Sequence, residues 1–380
     1  MTMAGYEIVP YHPDLEPEVV ELRSLASGGG LTMSRQFLDW KYCQNPLASD
    51  SFISVALHGG RVVGIRGAYG TCWQADGVDR MVLPAVDDFA IRPEHRNTGV
   101  ATLIMRAQRD QLEARGYPYL LALSSGRMTT LASLAAGWKS AAPMEPVARF
   151  NLRRRVAHEL HGRLHGTRLL WRLASRNDPV VQAPAVPFER LGSLGRVAGR
   201  KTGTTIVFER SARAEAMAAL IQRLGHDGRI RQVRDAKFLA WRYRNPWREY
   251  GFLYLECADR LEGFLGLGRF HEYRPPMNPF HIVDWEGTSP EARAELLEVA
   301  LRHGRFPEIG AWSAAVHAED QEVLAAAGFI PSELESRARG LPSVLVRAIG
   351  AASASEWKLG NRHLVDRANW DMRLLYSMHG

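Results

Sequence analysis

The chain has 380 residues, a length for which two domains are expected, and its 46% hydrophobic content is ample for packed cores. Its net charge of +7 suits a polyanionic ligand, an anionic membrane face or nucleic acid without choosing among them. The three cysteines are far apart and lack metal-ligand spacing, so the sequence indicates neither a disulfide scaffold nor a metal site, and a cytoplasmic protein is expected. No signal peptide and no run of about 18 apolar residues is visible, so no membrane-spanning segment is expected.

The first elements along the chain follow simple periodicity. Residues 6–10 indicate a strand and residues 14–25 a helix. A Trp40-Lys41-Tyr42 motif follows, and residues 52–64 have the pattern of a hairpin.

A strand, a loop and a helix start then come in close succession. Residues 82–91 are mostly apolar and predict a buried strand that carries Asp87 and Asp88, and residues 92–98 are polar and predict a loop. Gly99 precedes a stretch with helical spacing. Free N–H groups at the start of a helix favour negative charge, and a glycine lets a diphosphate approach the backbone. The sequence therefore predicts an anion site here, although a generic strand-loop-helix of an α/β domain would have the same outline.

The hexapeptide at residues 96–101, Arg-Asn-Thr-Gly-Val-Ala, fits the pattern Arg/Gln-x-x-Gly-x-Gly/Ala. It resembles the pyrophosphate loop of the GNAT acetyltransferases, which bind acetyl-CoA. A later helix at residues 131–138, ending in Gly137-Trp138, resembles the family's helix before Gly-Phe. Neither a Gly-Lys-Ser/Thr P-loop nor a Gly-x-Gly-x-x-Gly motif is present.

The resemblance implies a set of residues around acetyl-CoA as co-substrate. Strand backbone would align the pantetheine arm, an N–H near Phe89 would polarise the thioester carbonyl, and the loop backbone would hold the pyrophosphate. Ser133 stands where the family often has a tyrosine that protonates the leaving thiolate, so a water, Tyr42 or unassisted departure replaces it. The residues assigned to the donor are Phe89, Ala90, Ile91, Arg96, Asn97, Thr98, Gly99, Val100, Ala101, Thr102 and Ser133.

The sequence also contains an internal repeat. The segment Trp241-Arg242-Tyr243 repeats the Trp-Lys-Tyr motif, and each motif is followed by Asn-Pro, with one residue fewer in the second copy. The fold class predicted is α/β, with two tandem GNAT-like domains at 1–150 and 203–347, each a mixed, mostly antiparallel central sheet flanked by helices. The second copy has Glu291 at the corresponding helix start, which would repel a diphosphate, so it is predicted to have lost the CoA site.

Asp87 and Asp88 are the candidate catalytic bases, because buried carboxylates are costly unless paired. Strand alternation predicts that they face opposite sides of the sheet. Asp88 recurs as Asp284, which argues for a structural role, whereas Asp87 is replaced by Val283. We therefore predict that Asp87 is the base, with a salt-bridged structural acid as the alternative for either residue. Glu94 and His95 on the loop are further options that we expect to be solvated.

Residues 151–202 connect the copies, and residues 348–380 form a tail. Arginines and apolar residues at helical spacing in 149–176 could contact an anionic membrane. We prefer a linker helix packed on the two domains, with its arginines in water. Trp370 and Tyr376 indicate a docked tail.

The function predicted is transfer of an acyl group, acetyl in the first instance, from acyl-CoA to a primary amine of a small molecule such as an amino sugar or another biosynthetic intermediate. The first alternative is the same fold using aminoacyl-tRNA as donor. The second is a non-enzymatic protein that binds acyl-CoA or a membrane surface. No nucleic-acid-binding signature is present, and the sequence leaves the acceptor and the oligomeric state open.

Overall fold

Two β-sheets with helices packed on them make up the molecule. The computed structural model describes residues 2–3, 5–27, 30–123, 127–151, 186–270, 280–312, 318–332, 343–349 and 356–377. Its strands are β1 (Thr2–Met3), β2 (Tyr6–Pro10), β3 (Phe52–His58), β4 (Arg61–Ala75), β5 (Val78–Ile91), β6 (Tyr119–Ala122), β7 (Lys139–Pro143), β8 (Pro146–Phe150), β9 (Arg196–Ala198), β10 (Thr204–Glu209), β11 (Arg231–Gln232), β12 (Arg248–Cys257), β13 (Arg260–Phe270), β14 (Phe280–Gly287), β15 (Glu308–Trp312), β16 (Ile330–Pro331), β17 (Ser343–Ala348), β18 (Lys358–Leu359) and β19 (Arg362–His363). Its helices are α1 (Glu16–Ser27), α2 (Gly30–Leu38), α3 (Val100–Ala114), α4 (Arg127–Ala135), α5 (Val186–Gly192), α6 (Ala214–Leu224), α7 (Ala236–Arg242), α8 (Pro290–Gly304) and α9 (Ala318–Ala326).

The sheets have the same design. The first has the order β1-β2-β3-β4-β5-β6-β17-β7, with β11 paired to β4, and the second has the order β16-β8-β15-β14-β13-β12-β10-β9. Pairing is mostly antiparallel, with β5–β6 and β14–β15 parallel. This confirms the predicted fold class of two mixed, mostly antiparallel sheets flanked by helices.

The two copies exchange strands. β8 lies in the second sheet beside β15, although it directly follows β7 of the first sheet along the chain. In return, β17 is inserted between β6 and β7 of the first sheet. Each sheet is therefore completed by a strand from the sequence of the other copy.

The repeated tryptophans join the two copies. The rings of Trp40 and Trp241 stack with their centroids 4.9 Å apart. Each indole donates to the backbone carbonyl of the other residue, at 2.8 Å from Trp40 and 2.7 Å from Trp241. Both side chains are buried, so the two tryptophans of the repeated motif pack in the core.

The extra residue of the first motif appears as a π-helical turn at Asp39–Cys43, which continues α2. In the second copy the equivalent residues end the α-helix α7. A single inserted residue is commonly accommodated as one π turn. The turn directs Lys41 and Tyr42 to the first sheet.

The C-terminal tail is docked, as predicted. Trp370 is buried, packs edge-on against Trp73 at 5.3 Å and donates to the carbonyl of Leu364 at 3.0 Å. Tyr376 is also buried. Most of the arginine-rich segment falls within 152–185, outside the described residues. None of the helices in the described ranges is both long and apolar enough to cross a membrane.

Candidate active site

The first sheet opens next to β5. The pairing between β5 and β6 is confined to Ala85 and Leu121, while β5 stays paired with β4 as far as Ile91. Beyond Ala85, the edge of β5 that faces β6 therefore has no strand paired to it among the described residues. Phe89, Ala90 and Ile91 lie along this open edge, and Phe89 is 43% exposed. An extended ligand chain can pair with such an edge as a further strand would.

The predicted phosphate loop lies at the end of this edge. Arg96, Asn97, Thr98 and Gly99 are exposed, and they lead into α3, whose first residues are Val100, Ala101 and Thr102. Gly99 is the N-cap residue, with φ of 87° in the left-handed region, and no side chain of the described residues caps the helix. The loop is tied to the strand because Arg96 Nε donates to the carbonyl of Ile91 at 3.2 Å. An uncapped helix start has N–H groups available to an anion.

The corresponding helix start in the second copy is closed. Ser289 caps α8 by accepting from the N–H of Ala292 at 3.2 Å, and Pro290 is the first helical residue. Glu291 follows, and a hydrogen bond with Ser289 lowers the pKa of its exposed carboxyl. The donor groups and the charge that an anion requires are therefore present at α3 and not at α8.

Asp87 and Asp88 meet on one lysine. The buried ammonium group of Lys41 lies 2.6 Å from Asp87 Oδ2 and 2.7 Å from Asp88 Oδ2. Asp88 also accepts from Arg23 Nε at 3.1 Å and from the Tyr42 hydroxyl at 2.8 Å. Both oxygens of Asp88 are therefore engaged, whereas Asp87 Oδ1 has no hydrogen bond to a described residue and the Asp87 side chain is 27% exposed.

The predicted opposite orientation of the two carboxylates is wrong. The register between β4 and β5 shifts between Ile65 and Gly67, and Asp88 has φ of 51°. This bulge adds a residue to β5 and turns Asp88 toward the side that Asp87 faces. Gly67 makes room for the arrangement, because a Cβ atom there would lie 1.8 Å from the Tyr42 hydroxyl oxygen.

The electrostatics separate the roles of these groups. Burial raises the pKa of Asp88, but Lys41 and Arg23 outweigh burial and hold that pKa well below its usual range. Burial, followed by the charges of Asp88 and Asp87, raises the pKa of Tyr42 well above its usual value. Asp88 therefore stays ionised as an anchor, and Tyr42 is a poor proton donor for a leaving thiolate.

The equivalent cleft of the second copy is filled by the tail. Asp284, the counterpart of Asp88, is bound by Arg234 at 2.7 Å and by Arg373 at 3.0 Å. Arg373 also donates to the carbonyl of Trp285 at 2.6 Å. Met372 and Leu374 line the same cleft, which leaves a cavity of about 30 Å³. The chain's own tail thus lies where the first copy has no strand from the described residues.

The remaining candidates lie around the site. Ser133 is partly buried in α4, and its carbonyl accepts from the N–H of Trp138 at 3.1 Å. Glu94 is exposed, while His95 contacts the Tyr6 hydroxyl at 2.9 Å through Nδ1. Sequence reasoning did not assign Lys41 as the partner of the two acids. A signal for this cluster was available in the sequence, because both copies have a glycine, Gly67 or Gly266, at the position that faces the motif tyrosine.

Comparison with solved structures identifies the fold. No protein-family model matches the sequence, and a search of curated proteins finds no match. A GCN5-related N-acetyltransferase from Anabaena variabilis matches with a TM-score of 0.57 at 12% identity, covering 92% of this chain and 74% of that one. A protein of Enterococcus faecalis described as a probable N-acyltransferase matches with a TM-score of 0.55 at 13% identity, covering 90% of this chain and 73% of that one. A tandem GNAT protein from the clavulanic acid biosynthesis pathway matches with a TM-score of 0.52 at 16% identity, covering 91% of this chain and 99% of that one. The predicted resemblance is confirmed at the level of fold: the chain has the fold of the tandem GCN5-related N-acetyltransferases.

Proposed function

We propose that this protein is an acyl-CoA-dependent N-acyltransferase that works in its first copy, with acetyl as the simplest acyl group and a small primary amine as acceptor. The observation that carries the proposal is the uncapped start of α3 at Gly99, at the end of an open strand edge that leads to Asp87. The second copy has the same fold but lacks the uncapped helix start and the open cleft. Acyltransferase activity among proteins of the same fold supports the proposal.

The first copy has residues that fit an acyl-CoA. The N–H groups at the start of α3 and the loop at Arg96 to Gly99 would hold the pyrophosphate, and the open edge at Phe89 to Ile91 would hold the pantetheine arm. The thioester supplies an activated acyl group. The chain's task is then to position that group and to bind the amine next to it.

We assign Asp87 as the general base that deprotonates the amine. Lys41 fixes its carboxylate through Oδ2, which leaves Oδ1 for the proton of an incoming ammonium group. After Asp87 has taken one proton, the amine nitrogen bonds to the acyl carbon and releases its second proton to solvent as the carbon–sulfur bond breaks. The products are an amide and a thiolate that takes a proton from solvent, and Asp87 then returns its own proton to solvent. Asp88 and Arg23 are positioning residues, because they hold Lys41 and the bulge in place.

Calorimetric titration with acetyl-CoA tests the binding part of the proposal. We expect about one equivalent bound per chain, and no binding by Gly99→Val, because a side chain at this φ is strained and would obstruct the phosphates. Gly116→Val is the matched control, since Gly116 has φ of 81° at the other end of α3 and open space around it. Binding of two equivalents, or equal affinity of the Gly99 and Gly116 variants, would contradict the proposal. An aminoacyl-tRNA donor would be indicated if only charged tRNA bound.

A further inference from the structure

Arg66 is a nearly buried cation to which the described part of the chain supplies no counter-ion. The residue is 8% exposed, and its guanidinium makes no hydrogen bond or ion pair with a described residue. Its contact is the ring of Phe89, whose centroid lies 5.8 Å away. A buried charge normally has a partner, because desolvation is costly. Arg66 therefore needs an explanation that the rest of the site does not supply.

The charged groups that act on Arg66 and on Arg347 are themselves arginines. Burial, and then the positive charge of Arg347, lowers the pKa of Arg66 to about 10. Burial and the charge of Arg109 likewise lower the pKa of Arg347. Arg109 is paired with its neighbour Asp110, but no carboxylate among the described residues pairs with Arg66 or Arg347.

The two arginines are on strands that lie on either side of the cleft. Arg66 is on β4 and Arg347 on β17, so β5 and β6, which form the cleft, lie between them in the sheet. Arg66 lies on the α3 side, because Gly64 two residues earlier faces Ile104, while Gly67 faces Tyr42 on the other side. Arg347 belongs to the strand that the second copy contributes, and it lies against Gly137 at the end of α4.

We propose that Arg66 and Arg347 bind a carboxylate of the reactants in the first cleft, carried either by the transferred acyl group or by the accepting amine. The proposal rests on the proposed function and narrows its substrate class. Guanidinium groups match carboxylates in shape and charge, and a charged hydrogen bond contributes more than a neutral one. A carboxylate here would supply the counter-ion that the described residues do not give Arg66, next to the exposed ring of Phe89.

The donor arm of the test compares succinyl-CoA with butyryl-CoA, which have acyl chains of equal length and differ in the terminal carboxylate. Calorimetry is performed on wild type, Arg66→Met, Arg347→Met and the control Arg106→Met on the exposed side of α3. If the acyl group carries the carboxylate, wild type and the control bind succinyl-CoA about 10- to 100-fold more tightly, and this preference disappears in the other two variants.

The acceptor arm uses protein saturated with CoA and a panel of amino acids, each paired with its amide. If the amine carries the carboxylate, at least one amino acid raises the melting temperature more than its amide does. The difference is then absent from Arg66→Met and Arg347→Met and present in the control. Partial recovery of the preference in Arg66→Lys would show that the charge is what matters.

The outcomes separate this inference from the proposed function. If no CoA compound binds wild type, the proposed function fails. If CoA compounds bind but neither arm shows a carboxylate preference, this inference alone is overturned. It is also overturned if Arg66→Met weakens the binding of all CoA compounds equally, which would assign the arginines to the phosphates.

The stability of the variants is a separate control. Without ligand, we expect Arg66→Met to melt no lower than wild type, and a lower melting temperature without any lost carboxylate preference would mark Arg66 as structural. Arg347→Met, at a half-buried site, keeps the test valid if the Arg66 variant folds poorly.

Discussion

Asp87 and Asp88 are adjacent, yet replacing each with asparagine is expected to do different things. Asp88 holds Lys41, Arg23 and Tyr42 with both oxygens, whereas Asp87 holds Lys41 with one oxygen and leaves the other free of described partners. Asp88→Asn therefore removes a structural charge, and Asp87→Asn removes the proposed base.

The magnitude for Asp88→Asn follows from burial. The side chains of Lys41 and Arg23 are 0% and 6% exposed, so Arg23 would be left buried without its counter-ion. Breaking a buried pair of this kind costs about 3–5 kcal/mol. At about 1.25 °C per kcal/mol for a chain of 380 residues, the melting temperature should fall by about 4–6 °C.

Asp87→Asn should have a smaller effect on stability than Asp88→Asn and a larger effect on activity. The asparagine oxygen can still accept from Lys41, which also keeps Asp88, so the free energy of unfolding should fall by only about 1–2 kcal/mol. Acetyl-CoA affinity should be close to that of wild type. Turnover should fall about 10²- to 10⁴-fold if Asp87 is the general base.

The assay combines thermal unfolding, acetyl-CoA titration and release of free CoA thiol, once an acceptor has been found among amino sugars, amino acids and polyamines. Asp284→Asn is the matched control, since its buried carboxylate is held by Arg234 and Arg373 in the second copy. It should lower stability without changing turnover per folded molecule. Normal turnover by Asp87→Asn, together with a folded and inactive Asp88→Asn, would refute the reasoning and reverse the assignment.

Two further predictions concern stability. Because the folded-state pKa of Asp88 lies below its unfolded value of about 4, its stabilisation is complete above that pH and is lost as the pH falls through the folded pKa. The difference in melting temperature between wild type and Asp88→Asn should therefore be constant near neutrality and shrink below about pH 4, and a difference that grew in acid would contradict the assigned charge state. Trp40→Ala should lower the free energy of unfolding, measured in urea, by about 3–5 kcal/mol. The substitution leaves a cavity where the buried Trp40 ring stacks on Trp241, so the Trp241 indole loses its packing partner. A double-mutant cycle with Trp241→Ala should show coupling of about 1 kcal/mol, and strict additivity would argue against a shared interface.

Local patterns predicted the elements that carry the site. The strand that begins at Val78 and ends at Ile91 was expected at 82–91, and the helix start after Gly99 was placed correctly. These features depend on apolar periodicity and on glycine, which act over a few residues. The bulge at Asp88 could not be read in the same way, because a single positive φ reverses the direction that alternation assigns.

The tertiary features depend on pairings that local sequence does not encode. Nothing in residues 146–150 or 343–348 shows which sheet each segment joins, because both sheets offer an equivalent position, beside β6 in the first and beside β15 in the second. Arg66 reads as an ordinary polar position within a strand, and only the fold shows that it is buried without a described counter-ion. The one-residue difference between the motifs was visible, but its form as a π turn required the structure.

The two clefts show what an open strand edge requires. A splayed edge exposes backbone groups that need hydrogen-bonding partners, and an unpaired edge invites unwanted association. In the second copy the tail meets this need, with Arg373 bound to the carbonyl of Trp285 and to Asp284. In the first copy the equivalent edge beside Phe89 has no strand from the described residues on it, and Arg66 has no described counter-ion. A ligand that paired with the edge and brought a carboxylate to Arg66 would satisfy both requirements at once, which is why we place the substrate there and treat the filled second cleft as its structural counterpart.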